Sequence, residues 1–372
     1  MHDFDFDAER LKLERVLSLG EGELGFLSSL HSTQLRQLRE EISEKLHARH
    51  QDSFSRLARL SRVLPIGASA KLAETVLGSM LGAGVAGEMD PDRAAKLSGK
   101  LSPAFLAKLC VHLEPHRAAA IIREVPDDIV VAIARELIAK QEFITLARFV
   151  TQFDQAMLSR VMDAIQDDEA LLRIGIFVEQ RDALNDLVAP LSEARRQAVL
   201  KTATDADLWP QTLVLLTHLS DAMKGAMGDA AVAMGKAQIA QVIEVTRDHN
   251  LWEPLIITIA NMREENRRQV LAQPLLQDKD TVAALLRDID SEHLWTLLAK
   301  VWLDAPEQTL ACAFEVILAH RHWLADLMRE THAAGRADQL RSVIERLPAS
   351  LREQVEVSAS EFAPDDFAAV MA

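Results

Sequence analysis

The chain has 372 residues, a formal charge of −15 and 49% apolar side chains, enough to bury a substantial core rather than stay disordered. Glycine and proline number only 14 and 12, where ordinary proteins carry roughly 12% of the two together; this disfavours a turn-rich sandwich or barrel and favours long helices. Two distant cysteines, Cys110 and Cys312, rule out a disulfide framework or a cysteine zinc site. The acidic pI near 5.3 argues against nucleic acid, whose phosphates are bound by basic patches.

The opening residues Met1 to Asp7 (MHDFDFD) are acidic and lack the basic and apolar regions of a secretory signal. No stretch reaches the roughly 18 uncharged apolar residues of a spanning helix. With reduced cysteines, this predicts a cytoplasmic protein. Residues 1–64 form an N-terminal amphipathic helical region. From Ser32-Thr33, taken as an N-cap, the chain runs to Leu64 without Gly or Pro. Leu35, Leu38, Ile42 and Leu46, then Phe54, Leu57, Leu60 and Leu64, draw a narrow apolar stripe along it. Its use is packing within the chain or a coiled-coil seam.

Residues 65–95 are a small-residue helix and connector. Gly78 and Gly82 have the GxxxG spacing that lets helix backbones approach closely. The contact is either within this chain or external, to another subunit or transiently to a membrane. The acidic stretch Glu88 to Asp92 closes the segment.

From residue 96 to 360 the chain repeats. Leu208-Trp209, Leu251-Trp252 and Leu294-Trp295 are spaced by 43 residues each. The +4, +7 and +10 positions after each tryptophan are Leu213, Leu216 and Leu219; Ile256, Ile259 and Met262; Ala299, Trp302 and Ala305. One helical face is thus written three times in register. Asp207 and Asn250, just before two of the pairs, read as N-caps. Helix ends followed by restarts recur at Leu113-Glu114-Pro115, Phe153-Asp154, Leu191-Ser192, Leu219-Ser220, Met262-Arg263, Leu303-Asp304 and Leu347-Pro348. Most intervals lie near 40 residues, the period of two-helix repeats. The predicted fold is all-α, an α-solenoid of helical-hairpin repeats with a period of about 40–43. Residues 361–372 form a C-terminal tail.

Residues 101–140 read LSPAFLAKLCVHLEPHRAAAIIREVPDDIVVAIARELIAK. The cadence of an apolar helix, then Leu113-Glu114-Pro115-His116-Arg117-Ala118-Ala119, then a helix from Ile129 to Ile138, resembles the cytoplasmic N-terminal superhelical domain of MgtE-type magnesium transporters. The flagellar motor-switch protein carries a related module. The resemblance implies short helices stacked in a right-handed coil, and a cytoplasmic domain whose acidic residues help sense Mg²⁺. Glu114, Asp127 and Asp128 are the comparable positions here. The nucleotide-binding-type modules and the membrane pore of those transporters have no counterpart in this chain, so transport is not implied.

Linear catalytic motifs are lacking. His112 and His116 are four apart, but Pro115 interrupts the helix that would aim both at one metal. His47 and His50 read as solvated, and His320 and His322 point different ways on a helix. Gly225, Gly228 and Gly235 lack phosphate-loop spacing and suit a small-residue helix interface. Asp167-Asp168-Glu169 and Asp278-Asp280 suit helix N-termini, and both cysteines suit buried positions. Trp209, Trp252 and Trp295 could line a ligand groove, although their register favours core packing. Phe4 and Phe6 in the acidic N-terminus, echoed by Phe362 and Phe367, mark either solubilising termini or segments that dock into grooves. The expected function is that of a non-enzymatic scaffold or adaptor that binds partner proteins, without a cofactor. A module sensing Mg²⁺ or a small ligand, and an assembly protein on a membrane or granule surface, are the alternatives; self-association stays open.

Overall fold

The computed structural model describes residues 4–289 and 292–371. Among these residues every regular element is a helix and no strand is present. The chain divides into two compact units, His2–Pro190 and Leu191–Ala372. Boundaries at 64, 95 and 360 do not coincide with that division, because helix packing runs across each of them.

In the first unit, helix Phe4–Val16 packs on Ser32–Ser61, which packs on Gly78–Gly87, then Pro103–His112, Asp127–Ala139 and Gln155–Ala164 in turn. A second row pairs Ile66–Leu72 with Pro91–Ser98 and Pro91–Ser98 with Pro115–Ile122. A helix has one apolar stripe to bury, and here each finds it against a neighbour close in sequence. The stripe predicted on Ser32–Ser61 is only partly used. Leu35 is buried, but Leu38, Leu46 and Leu60 are exposed, and Arg39 and Ser43 occupy the buried face with Leu35. The helix before it is the reason: it presents carboxylates as well as Leu13 to this face.

In the second unit the three tryptophan-led helices, Trp209–Thr217, Trp252–Asn261 and Glu292–Trp302, stack on one another in order. Trp209, Trp252 and Trp295 are all buried, as are their +4, +7 and +10 partners. Between one tryptophan and the next lie three helices where two were expected: Trp209–Thr217, Asp221–Ala233 and Lys236–His249 fill the first interval. The extra break falls at Gly235, whose φ of 106° only glycine adopts readily. The terminus beyond 361 is no free tail. Helix Pro364–Met371 packs on Arg321–Ala333, with Val370 fully buried and Arg341 Nε donating to its carbonyl at 2.9 Å.

Caps sit mostly where the sequence places them. Asp154, Asp167, Ser192 and Asp278 each accept from the amide three residues on, at 2.8–3.2 Å. Asp207 and Asn250 differ. They are left-handed, at φ 55° and 58°, and close the preceding helix instead of opening the next. The following amides, Leu208 and Leu251, reach back to Ala203 O at 2.8 Å and Thr246 O at 2.9 Å, the Schellman closure. Asp and Asn tolerate this conformation better than other non-glycine residues. On Ser32–Ser61 the cap position is His31, whose amide donates to Gln34 Oε1 at 2.9 Å.

The glycines also sort differently from their spacing. Gly78 has φ 74° and open space where a Cβ would stand, so it serves a backbone kink and not a helix crossing. A Cβ on Gly82 would meet Leu109 Cδ1 at an ordinary 3.5 Å. The close approaches are Gly84, where a Cβ would stand 2.5 Å from the Phe54 ring, and Gly225 and Gly228, where it would press on Asn261 O and on Met262. Gly225→Ala should therefore destabilise the protein by about 1–3 kcal/mol through a backbone clash. Gly82→Ala should be neutral or gain up to about 1 kcal/mol of helix stability. Urea unfolding of the two variants, read by circular dichroism, checks the contrast.

Candidate functional site

Helices of the first unit between Leu57 and Phe153 face one another with Ala, Val, Leu and Ile side chains, and these do not fill the space between them. A cavity of about 500 Å³ results, within the roughly 300–1,000 Å³ range of ligand pockets. Its floor includes Leu106, Leu109, Leu137 and Leu146, all buried. Its rim includes Leu60, Val63, Leu64 and Leu72, which are 40–84% exposed. Sealed and empty, such a volume would cost on the order of 12 kcal/mol at about 24 cal/mol per Å³, as much as the whole stability of a typical domain. The exposed rim shows instead a recess open to the surface. The second unit makes the comparison: its void beside Trp209, Leu213 and Met227 is only about 40 Å³.

Few polar groups reach the recess. Ser69 lines it, and its hydroxyl is buried without a hydrogen-bond partner. Arg93 fixes the rim by donating to Ser61 O and, at 2.8 Å, to Leu64 O, tying off the last turn of Ser32–Ser61. Cys110 also lines the cavity, and burial pushes its thiol up to about 12. It is a thiol at neutral pH, not a nucleophile. The recess can hold an apolar body with one hydrogen-bonding group, and it offers no general base among its lining residues.

A buried ionic network lies elsewhere in the same unit. Lys12 Nζ is 2.9 Å from Glu9 and 3.5 Å from Glu179. Arg36 meets Glu9 at 3.0 Å, and Arg39 meets Glu179 at 3.0 Å. Glu9, Lys12 and Arg39 are each 1–2% exposed. Burial alone would raise the Glu9 carboxyl, but Lys12, Arg36 and Arg39 hold it below its usual value. Burial also lowers Lys12. Glu14 accepts the amides of Gly22 and Leu24 at 3.0 Å, closing the turn that follows. The network therefore docks the N-terminal helix.

The residues singled out in the sequence fall as follows. Phe6 packs beside Leu13, Leu24 and Leu35, and Asp5 pairs with Arg181, so the acidic N-terminus is a docked helix; Asp3 and the side chain of Phe4 lie outside the described residues. Phe362 is 42% exposed beneath the Arg321 guanidinium, 4.6 Å from the ring centre, and Phe367 is half-buried. The three repeat tryptophans line no accessible groove, being 1–4% exposed; Trp209 Nε1 donates to Thr204 at 2.9 Å. Glu114 accepts from Arg148 at 2.6 Å, Asp127 pairs with Arg160, and Asp128 is exposed in the first turn of its helix. No group of three metal-ligating side chains occurs among the described residues. His47 is not solvated: its Nε2 lies 2.9 Å from Glu88, which Ser55 also contacts at 2.8 Å. Burial works against the ionised Glu88, yet these bonds lower its carboxyl. His112 ends one helix and Pro115 opens the next, so the His112–His116 pair is split, and His116 meets Glu44 at 3.0 Å.

Sequence reasoning missed the recess, Ser69 and Arg93. The signal was present in Leu60, Val63, Leu64 and Leu72, large apolar residues that line its mouth and end up on the surface. No family model, curated protein or solved structure matches the chain.

Two outcomes follow for the ionic network. Glu9→Ala leaves Lys12 buried with a weaker partner and should cost about 3–5 kcal/mol in urea unfolding. Glu9 and Glu88 titrate below their unfolded value near 4.5, so their contribution is present above that pH and is lost as pH falls through the folded values. Unfolding midpoints should be level from pH 7 to about pH 5 and decline below about pH 4.5.

Proposed function

We propose that the protein is a non-enzymatic binding protein whose first unit takes a long-chain amphiphile, tail in the recess and polar head beside Ser69. The supporting observation is the 500 Å³ apolar volume with an exposed rim. Moving an apolar chain from water into a dry apolar site yields about 0.8 kcal/mol per methylene, and an apolar cavity offers water nothing to bond. The unsatisfied Ser69 hydroxyl supplies the one position where a head group gains a hydrogen bond. On this reading the helical stack is a right-handed solenoid and a scaffold, and binding at the recess is its output rather than catalysis.

Titration with a pyrene-labelled long-chain fatty acid, followed by fluorescence, tests this. The wild-type protein should bind saturably. Ala134→Phe, which projects a ring into the recess, should weaken binding at least about tenfold, equal to about 1.4 kcal/mol. Ser69→Ala should weaken it a few-fold. Absence of saturable binding, or binding indifferent to Ala134→Phe, contradicts the proposal.

A further inference from the structure

The surface around the mouth of the recess differs from the rest of the chain in two independent ways. Its apolar side chains stand in solvent: among the residues that line the mouth, Leu60 is 62% exposed, Val63 84%, Leu64 40% and Leu72 40%. Monomeric proteins seldom expose large apolar residues together unless something covers them. Its charge is also reversed. Between residues 53 and 87, Arg56, Arg59, Arg62 and Lys71 face a single carboxylate, Glu74, leaving +3 locally in a chain of −15. All four cations are exposed, and none has an ion-pair partner among the described residues. Glu74 is itself engaged, accepting from the Ser102 amide and hydroxyl at 2.8 Å each. Arg56 and Leu60 are four apart on Ser32–Ser61, so cation and apolar side chain share one face of that helix.

We propose that this face docks on an anionic lipid bilayer, with Leu60, Val63 and Leu72 entering the interface and Arg56, Arg59, Arg62 and Lys71 meeting the headgroups. Charge complementarity selects the occupant. A chain at −15 is repelled by an anionic surface except where its own charge is locally positive. Exposed apolar side chains beside basic ones are the arrangement by which peripheral proteins lie in the interface without spanning it. No helix of the described residues is long and apolar enough to cross a membrane, so contact here is with the surface. Docking also turns the mouth of the recess toward the acyl chains. It stands on the exposed rim alone and holds whether or not the recess takes a ligand.

The test is sedimentation of the full chain with vesicles of phosphatidylcholine alone and of phosphatidylcholine mixed with phosphatidylglycerol. Binding should require the anionic lipid and fall steeply as salt is raised. Leu60→Asp with Val63→Asp, and separately Arg59→Glu with Arg62→Glu, should each weaken it at least about tenfold; both pairs are exposed, and circular dichroism confirms that they fold. Ala134→Phe should keep vesicle binding while losing the fatty-acid probe, which separates this inference from the amphiphile-binding reading. No binding to anionic vesicles at low salt, or equal binding to neutral ones, overturns the inference. So does a chain that ignores vesicles but is dimeric by light scattering and becomes monomeric in Leu60→Asp with Val63→Asp, which would make the face a contact between copies.

Discussion

Every helix in this protein must bury one stripe against neighbours near it in sequence, and how well facing side chains fill the space between stacked helices decides what each unit can do. In the second unit the filling is done by bulk. All five tryptophans lie there, Trp209 and Trp252 are among the largest fully buried side chains, and Trp302 packs its ring 5.6 Å from that of Phe314. The void beside Trp209 is correspondingly small. In the first unit the facing side chains between Leu57 and Phe153 are mostly Ala, Leu, Ile and Val, tryptophan is missing altogether, and the same kind of packing leaves an open apolar recess. One stacking rule thus gives tight packing around Trp209 and a vacancy among the leucines of the first unit.

The polar groups of the first unit follow from this. With less apolar bulk to hold it, the N-terminal helix is fastened by charge, through Glu9, Lys12, Arg36, Arg39 and Glu179. Buried pairs of this kind stabilise little over apolar replacements, but breaking one is costly, so they fix the position of the helix more than they add to stability. At the recess Arg93 plays a related part, holding the end of the long helix to the rim.

The repeat was legible because tryptophan is rare and bulky: three in register, 43 apart, could only be one face repeated, and all three are buried. The number of helices per repeat was not, because the third helix begins at a single glycine, Gly235, without a polar pair to announce it. Asp207 and Asn250 were visible as helix-boundary residues, but their side-chain chemistry suits either end of a helix, and only the backbone angles decide. Gly78 and Gly82 had the spacing of a helix crossing but make none, Gly84 had no distinctive spacing, and Gly225 and Gly228, read as a small-residue helix interface, do make close contacts with the Asn261–Met262 turn. Buried charges such as Lys12 carry no signal in the sequence, since periodicity counts apolar residues alone. The recess was illegible for a simpler reason: missing volume has no residue to represent it.

The central claim is that the space among Leu106, Leu109 and Leu137 is dry, apolar and open to occupants. Xenon binding tests it most directly, because xenon enters apolar cavities without needing a chemical match. A crystal of the protein held under xenon pressure should show the gas beside those leucines and much less beside Trp209. Leucine side chains closed over the space, or ordered water filling it, would contradict the account.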